Sequence, residues 1–197
     1  HTGVVPFYKL FQSATRSCSQ GGVRNGAATL YYPIWHLEAE DLLVLKNNKG
    51  TEDNRVRHMD YGVQFNKLMY ERLLQGGDIT LFSPSDVPGL YEAFFTDQDK
   101  FKELYETAER NTRLRKKTLK ASELFSMFME ERKNTGRIYL MNVDHANDHS
   151  SFKPDVAPIK QSNLCCEIDL PTKPLKDFND PDGEIALCTL SAINWGL

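Results

Sequence analysis

Short apolar runs alternate along this chain with longer stretches in which apolar residues recur at helical spacing. The first stretch, residues 6–16, predicts a short helix. The Gly-rich segment SCSQGGVRNGAATLYYPIW follows, and its apolar second half predicts a buried strand over residues 27–33. Residues 36–45 again read as helix. Tyr61, Phe65, Leu68, Met69 and Leu73 then fall on one face of another predicted helix, which Gly76 and Gly77 terminate. DITLFSP predicts a strand closed by Pro84, and DVPGLYEAFF and DKFKELYETAERN predict two helices of rising charge. Leu124, Phe125, Phe128 and Met129 line one side of a further helix ended by Gly136, and residues 137–144 read as a strand. Strands separated by helices of this length imply parallel pairing through crossover connections, hence an α/β sheet or barrel.

Charge and composition narrow the function classes. A chain of 197 residues, 40% hydrophobic and 26% charged, can bury a core, and it reads as one partial domain over residues 1–197. The basic side chains Arg113, Arg115, Lys116, Lys117 and Lys120 read as the solvated face of a helix rather than a phosphate site. A net charge of -3 gives no footprint for nucleic acid. No apolar run reaches the length of a bilayer span, so no membrane partner is expected. The chain opens on HTGVVPFYKLFQ, without an initiator methionine or a signal sequence, and closes on the apolar LSAINWGL. This reads as an internal piece of a longer, cytoplasmic protein.

The cysteines carry the candidate chemistry. Cys18, Cys165, Cys166 and Cys188 contain no C-x-x-C pair and lack a secretory context, which disfavours both structural zinc and a disulfide scaffold. His145 and His149 are four apart, but DHANDHS lacks the H-E-x-x-H glutamate and reads as a loop. His36 and His58 have no evident partner. The Gly-rich loop could cradle a phosphate or a base, or serve only as a tight turn before a strand. In SNLCCEIDLP, an extended chain would put Asn163, Cys165 and Glu167 on one face and Leu164, Cys166 and Ile168 on the other. Cys166 then packs as a small hydrophobe, and if the segment is a site, Cys165, flanked on its face by a carboxylate and an amide, is its centre. A strained vicinal disulfide is set aside, whereas a Cys–His hydrolase using His145 or His149 stays open.

SNLCCEIDLPTKPL followed by DGEIALCTLSAIN resembles the active-site region of the catalytic subunit of class I aerobic ribonucleotide reductases. SCSQGGVRNGAATLYYPIWHLE, LLVLKNN, NRVRHMDYG and DITLFSPSDVPGLYEAFF resemble the same subunit in the same order, over essentially the whole chain. The resemblance implies the central part of a ten-stranded α/β barrel, with Cys165 on a finger loop in its interior. It implies that Cys165 forms a thiyl radical, Glu167 acts as general base, Asn163 binds substrate and Cys188 is one of two reducing cysteines. Residues 163–167, Leu164 and Cys166 included, would contact a ribonucleoside diphosphate. Cys18, Gln20 and Arg24 would lie on a loop that reports bound ATP or deoxynucleotide effectors. Implied partners are a second large subunit, a small metal-containing subunit that supplies the radical, and thioredoxin or glutaredoxin, with no cofactor held by this chain itself. Cys166 departs from the leucine expected there. The second reducing cysteine, the tyrosine relay and the remaining barrel strands fall outside these residues, so the isolated chain should not turn over. A noncatalytic nucleotide-binding or split-gene assembly segment is the alternative reading.

Overall fold

A computed structural model of the chain describes residues 3–196. Helix α1 (Val5–Ser17) carries Pro6 in its first turn, where a fixed φ and a missing N–H cost nothing. A hairpin of β1 (Ser19–Gln20) and β2 (Arg24–Asn25) follows, turning through Gly21 and Gly22 at positive φ. Strand β3 (Thr29–Pro33) leads to a short α2 (Ala39–Leu43), so the helix expected over residues 36–45 forms only in part.

The helix expected over residues 61–73 is two elements, β4 (Asp60–Phe65) and α3 (Lys67–Leu74). Tyr61 and Phe65 fit helical spacing, but they equally fit the alternation Tyr61, Val63, Phe65. Extended backbone at Asn66 separates strand from helix. Strand β5 (Asp78–Phe82) precedes α4 (Leu90–Thr96) and α5 (Gln98–Arg110), the latter capped by the Asp97 side chain on the Lys100 N–H at 2.9 Å.

The basic stretch read as a helix face contains strand β6 (Lys116–Lys120), antiparallel to β5. Cross-strand pairs explain the difference: Lys120 meets Asp78 at 2.7 Å and the Thr80 and Thr118 hydroxyls meet at 3.1 Å. Helix α6 (Ala121–Thr135) ends at Gly136 in the left-handed region. Met129, expected on its buried side, is 55% exposed. Strand β7 (Ile138–Asn142) runs into α7 (Val143–Asp148), where a loop was expected.

The main sheet has the order β3-β4-β7, all parallel, with Tyr61 opposite Leu30 on one side and Ile138 on the other. Strand β5 joins the chain beyond β3, where the Phe82 N–H donates to the Trp35 carbonyl at 2.9 Å. The expected parallel pairing thus holds for the main sheet and fails for β1–β2 and β5–β6. Among the described residues the strands form a mixed α/β arrangement that does not close into a barrel. The core is aromatic: Trp35 packs on Phe94 and Phe101, and Phe65 on Phe125 and Phe128 with ring centroids 5.1 Å apart. No helix among the described residues is long and apolar enough to cross a membrane.

Candidate active site

Residues 159–168 contain no regular element, and side chains from the main sheet and α7 hold them in place. The buried Asn147 side chain takes the Ile159 N–H at 2.8 Å and donates to the Ile159 carbonyl at 2.9 Å. Gln64 on β4 donates to the Lys160 carbonyl at 2.6 Å. From β3, the Thr29 hydroxyl donates to the Leu164 carbonyl at 2.5 Å and the Tyr31 hydroxyl to the Asn163 carbonyl at 2.7 Å. These long-range bonds let an irregular segment lie against a sheet with its backbone groups paired.

The extended conformation expected for residues 163–168 is not what forms. The chain makes a tight turn, with the Cys166 N–H on the Asn163 carbonyl at 3.3 Å and the Asn163 N–H on the Ile168 carbonyl at 3.2 Å. The Asn163 carboxamide oxygen accepts the N–H groups of Glu167 and Ile168, each at 3.1 Å. That competing local bond explains the departure from a strand. Cys166 has φ 63°, the one positive φ outside glycine among the described residues.

The turn still separates the two cysteines. Cys165 and Glu167 are exposed, Asn163 and Leu164 are half-buried, and Cys166 packs against the core with its sulfur 4.0 Å from the Leu140 carbonyl oxygen. Burial pushes the Cys166 thiol up, partly offset by its hydrogen bond with Tyr31. A backbone bridge between Lys173 and Glu184 then folds the chain back. The Asn163 carboxamide nitrogen meets the Cys188 sulfur at 3.8 Å, beside a cavity of about 60 Å³. Asn163, Cys165, Glu167 and Cys188 therefore lie in one neighbourhood.

The other candidates sit elsewhere. Cys18 and Arg24 are exposed on the hairpin before β3, whereas the Gln20 side chain lies outside what the structure describes. His145 on α7 and His149 at its C-terminal cap, with ring centroids 5.7 Å apart, line a cavity of about 490 Å³ together with Cys166, not Cys165. That arrangement does not supply the imidazole a hydrolytic Cys165 would need. Among the described residues no group of three or more His, Cys, Asp or Glu could hold a metal ion.

A family profile described as "Ribonucleotide reductase, barrel domain" matches residues 1–196. The chain belongs to the ribonucleotide reductase family. It is 73% identical to the ribonucleoside-diphosphate reductase subunit alpha of Haemophilus influenzae, over 100% of this chain and 26% of the relative. Identity is 70% to subunit alpha of reductase 1 of Escherichia coli, over 90% of the chain and 23% of the relative. It is 61% to the subunit of Enterobacteria phage T4, over 98% and 25% respectively. The chain thus spans about a quarter of the length of these reductase relatives. Thr29 and Tyr31 were not singled out from the sequence. The one trace they leave there is their spacing of two within a strand.

Proposed function

We propose that this chain is the central segment of the catalytic subunit of a ribonucleoside-diphosphate reductase, with Cys165 as the radical-bearing cysteine. The observation that carries this reading is the turn that gathers Asn163, Cys165 and Glu167 and sets the Asn163 carboxamide against Cys188. The relatives, ribonucleoside-diphosphate reductases, supply the substrate class.

The Cys165 thiyl takes the 3′ hydrogen of the ribose, forming S–H and leaving a radical at C3′. Activated ribose C–H and S–H bonds are close in strength, so the same hydrogen is returned at the end of the cycle. Glu167 takes the 3′ hydroxyl proton while Asn163 hydrogen-bonds the substrate. The 2′ hydroxyl leaves as water. Cys188 and a second cysteine outside this chain provide two protons and two electrons and close to a disulfide, which thioredoxin or glutaredoxin reopens by exchange. In sum, a ribonucleotide and a dithiol give a deoxyribonucleotide, a disulfide and water.

Within that reading, the parallel strands are part of a ten-stranded barrel and the turn projects into it, shielded from solvent. A metal-containing small subunit supplies the radical, and a second large subunit completes the effector site. The hairpin of Cys18, Gln20 and Arg24 reports ATP or deoxynucleotide effectors. Its glycines Gly21 and Gly22 have open space around them, which suits a loop with more than one arrangement. The cytoplasm keeps the required thiols reduced.

The test is a chimera in which this chain replaces the corresponding segment of the Haemophilus influenzae subunit. It should form deoxyribonucleoside diphosphates when mixed with the cognate small subunit and a dithiol. A folded chimera without turnover would refute the reading.

A further inference from the structure

Two hydrogen bonds from β3 land on consecutive peptide carbonyls just before Cys165. Thr29 and Tyr31 are two apart on one face of the strand and donate to the Leu164 and Asn163 carbonyls at 2.5 and 2.7 Å. Holding both carbonyls fixes the two peptide planes through which the chain enters the turn. The Asn163 carbonyl also accepts the Cys166 N–H at 3.3 Å, so Tyr31 grips the atom that closes the turn.

The Tyr31 ring has a built seat. A Cβ on Gly62, opposite Tyr31 in the β3–β4 register, would lie 2.2 Å from the ring carbon Cε1. Only a residue without a side chain leaves that space. Burial raises the Tyr31 hydroxyl far above its ordinary range, so it stays a donor throughout physiological pH.

We infer that Thr29 and Tyr31 are positioning residues for the cysteine turn, setting the place of the Cys165 thiol and the Glu167 carboxylate, with Gly62 providing the slot for the tyrosine ring. This rests on the proposed role of Cys165. Neither residue touches the reacting atoms. Their loss should leave substrate binding nearly intact while moving the reactive groups out of line.

The experiment uses the complete chimeric subunit carrying Tyr31→Phe, Thr29→Val or Thr29→Ser, with thermal midpoints compared to exclude misfolding. Tyr31→Phe and Thr29→Val should lower kcat roughly 10- to 100-fold with KM changed less than about 2-fold, because misplacement costs rate rather than affinity. Thr29→Ser, which keeps the hydroxyl, should restore most of kcat. Amide hydrogen exchange over residues 163–168 should accelerate about 2- to 10-fold in the first two variants and not in Thr29→Ser. The exchange readout needs no turnover, so it tests the inference even if the catalytic reading fails. Wild-type exchange and kcat in Tyr31→Phe and Thr29→Val would overturn it. Failure of the catalytic reading would show differently, as Cys165→Ser turning over normally.

Discussion

The carboxamide nitrogen of Asn163 lies 3.8 Å from the sulfur of Cys188, a residue 25 positions further along the chain. The oxygen of the same carboxamide closes the turn that presents Cys165 and Glu167. One side chain thus joins the proposed radical cysteine and the proposed reductant.

The two ends of that carboxamide separate by substitution. Asn163→Asp keeps an oxygen for the Glu167 and Ile168 N–H groups but replaces the donor facing Cys188 with a carboxylate. Amide exchange in the turn should stay near that of the parent, while turnover falls about 100-fold or more, the order expected when an aligned donor is lost. Asn163→Ala should lose both. Equal exchange in the two variants would contradict the division of labour.

Gly62→Ala should destabilise the subunit by about 1–3 kcal/mol, because the added methyl meets the Tyr31 ring at 2.2 Å. Combining it with Tyr31→Leu should cost less than the sum of the two single changes, since the clash disappears with the ring. A denaturation series on the four proteins checks this. Additive losses would place the strain elsewhere.

Cys166 should alkylate late in a pH titration. Burial raises its pKa, the thiolate is the reacting form, and so its iodoacetamide reaction should set in at higher pH than that of an ordinary thiol. Mass spectrometry of the subunit across pH 7 to about 10 reads the onset directly. An onset below the ordinary thiol range would mean that the sulfur is not packed against the core as described.

Gly26→Ala should disturb the hairpin while sparing basal turnover. A Cβ there would lie 2.3 Å from the Thr15 carbonyl oxygen, so the base of the hairpin must move off α1. Under the effector reading, substrate preference should respond less to added deoxynucleotides. An unchanged effector response would remove the hairpin from that role.

Much of the fold was legible because β3, β5, α5 and β7 are apolar runs or amphipathic stretches with clear boundaries. Strand β4 was misread because Tyr61 and Phe65, which alternate with Gly62 and Gln64 along a strand, also stand four apart and so continue the helical spacing of Leu68, Met69 and Leu73. Charge concealed β6, since lysines on an antiparallel pair resemble a solvated helix face. In α7 the polar residues that suggested a loop have tertiary partners: Asp144 accepts the Lys67 N–H at 2.6 Å and Asn147 holds residue 159. Within the site, the contrast between Cys165 and Cys166 was visible in the alternating polar and apolar neighbours of the pair, although a turn and not a strand produces it. Thr29 and Tyr31 act across 135 and 132 positions, a separation at which one sequence carries no signal of contact.

The most direct test of the central claim is turnover of a 3′-deuterated ribonucleoside diphosphate by the chimeric subunit with its small subunit and a dithiol. The deoxyribonucleotide should keep deuterium at C3′ and form more slowly than from unlabelled substrate. Cys166→Ser should behave like the parent, and Cys165→Ser should give no product. Product formation by Cys165→Ser at the parent rate would contradict the assignment of Cys165 as the hydrogen-abstracting residue.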